Sequence, residues 1–114
     1  MAARPTTGTY LDRILENTRA ELEVRKRARS FAEIEALALA RPAPVPFAAA
    51  LRVEGIAVIA EVKRASPSKG PIAPGIGARA VAEDYVRGGA AAISVLTDER
   101  FFHGSLDVLR DVAE

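Results

Sequence analysis

Two short apolar runs rich in β-branched residues, Gly55–Val62 and Ala91–Leu96, flank a stretch in which Ala78, Val81, Ala82, Tyr85 and Val86 recur at helical spacing. Runs of that length and composition read as parallel strands buried on both faces, and the stretch between them as an amphipathic helix. Gly88-Gly89 supplies the stop for that helix. A strand, a helix and a second strand in this order imply parallel neighbours joined by a right-handed crossover. After the second run, Gly104-Ser105 opens a further helix with Leu106, Leu109, Val112 and Ala113 expected to face inward. Pro67, Gly70, Pro71, Pro74 and Gly75 mark the connection after the first run as a loop.

The period upstream of Gly55 is different. Leu11, Ile14, Leu15, Thr18 and Leu22 lie on one face of a long helix, with Thr9 available as N-cap. Ser30 followed by Glu33 matches a capping box and leads into a shorter helix through Ile34, Leu37 and Ala38. Pro42, Pro44 and Pro46 then fix φ and remove donors, so this segment is expected to be an extended connector, with one further turn over Phe47–Leu51. The resulting division is a helical extension with its Pro-rich connector over residues 1–52, and two βα units over residues 53–114. Two such units are roughly a quarter of an eight-stranded α/β barrel, for which about 250 residues are typical. The order gives an α/β class with open sheet edges, of the kind that makes up the N-terminal part of a (β/α)8 barrel.

Composition narrows the function. With Lys+Arg 16 against Asp+Glu 15 the net charge is +1, too balanced for a broad surface that holds nucleic acid. Cysteine is absent and His103 is the single histidine, which excludes a disulfide framework and a thiolate or multi-histidine metal site. Met1–Asp12 lacks the apolar centre of a signal peptide, and no apolar run reaches the roughly 18 residues of a membrane span. The expectation is a soluble cytoplasmic protein.

The chemistry concentrates in Ile59-Ala60-Glu61-Val62-Lys63-Arg64-Ala65-Ser66-Pro67-Ser68. Side chains alternate along a strand, so Ile59, Glu61 and Lys63 share one face while Ala60 and Val62 share the other. If Ala60 and Val62 meet the helices, Glu61 and Lys63 point into the barrel at the carboxyl end of a strand, where barrel active sites are built. Two charges there need each other or an ionic ligand. A structural ion pair at the barrel mouth, or exchanged faces, satisfies the same spacing. Among the 16 basic residues only Lys26, Lys63 and Lys69 are lysine, and two of those three fall in this segment. An ammonium serves as a point charge or proton donor in ways a guanidinium does not.

This segment resembles the signature E-x-K-x-x-S-P-S that closes the first barrel strand in indole-3-glycerol-phosphate synthases. Ser94-Val95-Leu96-Thr97-Asp98-Glu99-Arg100-Phe101-Phe102-His103-Gly104-Ser105 is similar to a second segment of the same family, S-x-L-T-[DE]-x-x-[FY]-F-x-G-S. The helices and Pro-rich connector upstream also look like that family's extension, so the resemblance covers nearly the whole chain.

The resemblance implies ring closure of 1-(2-carboxyphenylamino)-1-deoxyribulose 5-phosphate to indole-3-glycerol phosphate, with loss of carbon dioxide and water. It implies no redox cofactor and no metal, and a phosphorylated small molecule as substrate; the charge balance and the lack of a long apolar run already point away from nucleic-acid and membrane partners. It makes Glu61 part of the catalytic group, with Lys63 as a second catalytic residue that also binds. Lys63 becomes the cation that binds and orients an anionic part of the substrate, either carboxylate or phosphate. Ser66 becomes a donor to the substrate carboxylate, and Leu96 and Phe102 apolar walls for the anthranilate ring. Each position also has a plainer reading: a turn at Ser66-Pro67, barrel core at Leu96, paired core aromatics at Phe101-Phe102, and a surface loop at His103. The family's lysine on strand three, its glutamate on strand four and its phosphate-binding loops have no counterpart in these residues. The isolated chain is therefore expected to be inactive. The alternative is a partial barrel that self-associates or is completed by a complementing C-terminal chain.

Overall fold

A computed structural model describes residues 8–72, 75 and 77–114. Pro74, expected in the loop after the first strand, and residues 1–7 of the N-terminal segment lie outside the described residues. The chain clusters into two units, Met1–Pro44 and Val45–Glu114.

In the first unit, helix α1 spans Tyr10–Ala28 and α2 spans Phe31–Leu39. Both begin with a full capping box. The Thr9 hydroxyl accepts from the Asp12 amide while the Asp12 carboxylate accepts from the Thr9 amide, and Ser30 and Glu33 repeat the arrangement. Two otherwise orphaned N–H groups are satisfied at each start. Arg25, Lys26 and Arg27 occupy the last turn of α1, where the helix dipole favours cations. Residues 42–46 carry no regular secondary structure, and Pro46 is extended.

The second unit starts with the single turn α3, Phe47–Ala50. Strand β1 (Ile59–Val62) pairs in parallel with β4 (Ala92–Val95), in the register Ile59↔Ala92, Ala60↔Ile93, Glu61↔Ser94 and Val62↔Val95. Between them comes α4, Ala78–Arg87, and after them α5, Leu106–Ala113, capped by the Ser105 hydroxyl accepting from the Val108 amide. The expected strand–helix–strand–helix order is met. Helix α4 ends in a Schellman motif: the Gly89 amide donates to Val86, the Ala90 amide donates to Tyr85, and Gly89 has φ +92. The turn thus delivers the chain directly into β4.

Four expectations need correction. Strand β1 begins at Ile59 rather than Gly55, because continuing the register backwards sets Ile56–Val58 opposite Gly89–Ala91, the end of the Schellman turn, which offers no ladder. Val58 still accepts from the Ala91 amide at 2.9 Å. Secondly, β1 is not buried on both faces. Val62, against the helices, is 3% exposed, but Ile59 is 50% exposed, since two strands cannot close on themselves into an interior.

Thirdly, the apolar stripes of the helices are only partly covered. Ala78 and Ala82 of α4 are buried and Val81 and Tyr85 half-buried, but Val86 is exposed. On α5, Val108 and Val112 turn in while Leu106, Leu109 and Ala113 stay exposed. A stripe wide enough for several neighbours meets few, chiefly α4 and β4 in the case of α5. Fourthly, the loop after β1 contains a small antiparallel hairpin, β2 (Ala65–Ser66) with β3 (Gly70–Pro71), in which Gly70 has φ +65. Pro67 pre-sets the turn and Gly70 takes the left-handed position that closes a three-residue connection.

One close approach locks the end of β4 to the start of α5. A Cβ at Gly104 would collide with the Leu96 carbonyl group and lie 3.2 Å from Thr97 Cα, all backbone that cannot rotate away. Gly104→Ala should therefore destabilise the fold by about 1–3 kcal/mol, read as a lower urea midpoint. A midpoint equal to wild type would show that the loop can open without cost.

Candidate active site

The alternation along β1 places its side chains as the β4 register requires. Ala60 shares a recess with Val58, Asp84 and Tyr85 on the helix side, so Glu61 stands on the opposite face. On β4, Ile93 lines a groove with Ala82, Val86 and Val112, which puts Ser94 on the same face as Glu61. Leu96, two residues on, continues that face and is half-buried. The faces are therefore not exchanged.

Glu61 is held at three points. Its Oε2 accepts from the Ser94 hydroxyl at 3.2 Å, and its Oε1 lies 3.7 Å from Lys63 Nζ. Its backbone carbonyl accepts from the Tyr85 hydroxyl at 2.9 Å. Val58 and Val62 direct their carbonyls at amides beside and within β4, so by alternation the Glu61 carbonyl lies on the other edge of the strand, and Tyr85 satisfies it there.

The Glu61–Lys63 pair is the structural ion pair that the spacing also allowed, but its exposure decides how much it matters. The side chains are 45% and 37% exposed, and pairs of that kind contribute at most about 1 kcal/mol. It is too weak to hold the strand in place, and an anionic ligand can replace the glutamate beside Lys63 at little cost.

Ser66 lies in β2, four residues beyond the end of β1, and is a buried polar residue, at 8% exposure. Its hydroxyl accepts from the Lys69 amide at 3.2 Å and lies 3.5 Å from the Ser68 hydroxyl, so it organises the hairpin turn. The turn reading of Ser66-Pro67 holds, and the hydroxyl retains a proton to donate. Phe102 is half-buried in the connection after β4. That loop is drawn together by Asp98, whose Oδ1 accepts from the amides of Phe101 and Phe102 at 2.7 and 3.3 Å, and whose carbonyl accepts from the Gly104 amide at 2.8 Å. His103 is exposed on the same loop, with φ +53. Because β1 and β4 are parallel, the Ser66 hairpin and the Phe102 loop both leave the sheet at its carboxyl end.

The sequence reading gave no site role to Ser94, Tyr85 or Asp98. The signal for Ser94 was present: it is the one hydroxyl in the otherwise apolar run Ala91–Leu96, spaced two from Leu96. Tyr85 has the spacing of a helix-core residue, and nothing local indicates that its hydroxyl reaches back across 24 residues to β1.

A concave space also lies on the other face of the sheet. A groove of about 330 Å³ runs between α4, β4 and α5 on the helix side, lined by Ala82, Val86, Ile93 and Val112. It faces away from Glu61 and takes its charged lining from the helices rather than from the strand ends, so the strand-end residues define the candidate site. Among the described residues no cluster of three or more His, Asp or Glu side chains is placed to hold a metal, and no helix is long and apolar enough to cross a membrane.

The family model for indole-3-glycerol phosphate synthase matches residues 11–114. The chain belongs to that family. It is 53% identical over 103 residues to the indole-3-glycerol phosphate synthase of Mycolicibacterium gilvum, covering 90% of this chain and 38% of that protein. It is 54% identical over 101 residues to the synthases of Mycobacterium avium and of Mycobacterium leprae, covering 89% of this chain and 37% of each. The chain thus spans little more than a third of the length of these curated relatives.

Ser66→Ala removes the acceptor for the Lys69 amide without altering the backbone ladder. Amide exchange at Lys69 should accelerate by about five- to tenfold, the loss expected for one hydrogen bond of about 1 kcal/mol, while exchange at Leu96 stays unchanged. Equal acceleration at both would mean that the serine supports the sheet itself.

Proposed function

We propose that this chain supplies the first part of an indole-3-glycerol phosphate synthase barrel acting in the cytoplasm. On this reading residues 1–52 precede the barrel and residues 53–114 form its first two βα units. The reaction is ring closure of 1-(2-carboxyphenylamino)-1-deoxyribulose 5-phosphate with release of carbon dioxide and water. The observation that carries the reading is the Glu61–Lys63 pair at the carboxyl end of β1, half-exposed and weakly bound, in a chain that is 53% identical to a synthase.

In the proposed site, Glu61 belongs to the proton-transfer group, and Lys63 exchanges its glutamate partner for an anionic part of the substrate. Ser66 donates to the substrate carboxylate, while Leu96 and Phe102 flank the anthranilate ring. The uncovered apolar side chains support a larger assembly: Ile56 is 91% exposed, and Ile59, Leu106 and Leu109 are exposed on elements that a barrel surrounds with further strands and helices. Removal of proton-transfer groups costs about two to four orders of magnitude in rate each. A chain with Glu61 alone from such a group is therefore inactive by itself.

Joining Met1–Glu114 to the C-terminal remainder of the Mycolicibacterium gilvum synthase tests the reading. The chimera should form indole-3-glycerol phosphate, whereas the 114-residue chain alone gives none. In the chimera, Glu61→Gln should lower kcat by about two to four orders of magnitude, and Lys63→Ala should raise KM by about tenfold or more, the loss of one charge-assisted contact. Turnover by the 114-residue chain that Lys63→Ala abolishes would overturn the expected inactivity. A chimera indifferent to Glu61→Gln would remove Glu61 from the chemistry.

A further inference from the structure

We infer that Ser94 is a positioning residue for Glu61, fixing one carboxylate oxygen so that the other is presented to the substrate side of the site. The inference rests on the proposed role of Glu61. A half-exposed glutamate has several rotatable bonds, and its ordering is opposed by side-chain entropy. Lys63 cannot supply that order, since it is itself long, half-exposed and 3.7 Å away.

Ser94 is different in kind. Its side chain is short, and the parallel register sets it directly opposite Glu61 with its hydroxyl 3.2 Å from Oε2. The backbone ladder fixes that placement. Only one rotation, about χ1, aims the hydroxyl at the carboxylate. A hydroxyl has a single proton, so donation to Oε2 uses its whole donor capacity and leaves Oε1 to Lys63 or to a ligand. The two oxygens of Glu61 thereby become inequivalent: Oε2 is tethered to the neighbouring strand, and Oε1 lies beside a half-exposed cation.

A serine also stands against the local preference. Its neighbours in the run, Ile93 and Val95, are the β-branched residues that suit a strand, and a side chain kept only for packing would be of their type. Tyr85 contributes from the other edge by anchoring the Glu61 carbonyl, so the backbone and side chain of this residue are each fixed by a hydroxyl from a different element.

The test uses the chimera with three substitutions, each checked for an unchanged thermal midpoint. Ser94→Ala should lower kcat about tenfold, the effect of one hydrogen bond to a charged group, with KM altered less than about twofold. Ser94→Thr, which keeps the hydroxyl, should recover most of the loss. If Glu61→Gln abolishes turnover while Ser94→Ala leaves kcat unchanged, the positioning role is wrong and the role of Glu61 stands. If Glu61→Gln leaves turnover intact, the reading beneath the inference fails instead. A second measurement needs no activity: in the 114-residue chain the side-chain carboxyl ¹³C resonance of Glu61 should move in Ser94→Ala and return in Ser94→Thr. A resonance blind to both substitutions also overturns the inference.

Discussion

The parallel ladder between Ile59–Val62 and Ala92–Val95 is the constraint on which the second unit depends. It sets Glu61 against Ser94 and puts Ala60 and Ile93 on the helix side. It also carries the hairpin and the Phe102 loop to one end of the sheet. A slip of one residue would send every side chain to the opposite face, moving the charges against α4 and the apolar residues to the open side. The slip is opposed by the buried Val62, by the Schellman turn that fixes where β4 begins, and by the close passage of Gly104 over the Leu96 carbonyl.

Much of this was legible in the order of residues. The N-cap at Thr9 and the capping box at Ser30 act within four residues, and the Gly88-Gly89 stop acts within one turn, so local chemistry is sufficient to place them. The alternation of Ala60 and Val62 against Glu61 and Lys63 requires only the strand period. What was not legible depends on partners distant in sequence. The start of β1 is set by where the turn after α4 releases the chain. Exposure of Leu106 and Leu109 is set by how few elements surround α5, which no stripe on the helix itself reports. The hairpin at Ala65–Pro71 was hidden because a proline-rich loop and a short proline-bounded hairpin share their composition.

The candidate site divides along the same line. Glu61, Lys63, Ser66, Leu96 and Phe102 stand out in two motifs, each local. Their relationships are not local: Ser94 reaches Glu61 across 33 residues, and Tyr85 reaches it across 24. Asp98 lies between, a residue whose short-range amide contacts shape the loop that carries Phe102. The motifs thus name most of the participants, and the register decides which of them touch.

The Tyr85 hydroxyl on the Glu61 carbonyl has a further consequence for assembly. A sheet edge recruits any passing strand because its carbonyls and amides are unsatisfied, and this carbonyl has been given a partner from within the chain. The edge is therefore altered at one acceptor: the carbonyl keeps a second lone pair, and an incoming strand's amide must reach it beside the phenol or displace the phenol. In a barrel closing around this edge, one aromatic hydroxyl would act as a gatekeeper, rewarding the strand whose hydrogen-bonding pattern accommodates it and disfavouring indiscriminate pairing between copies.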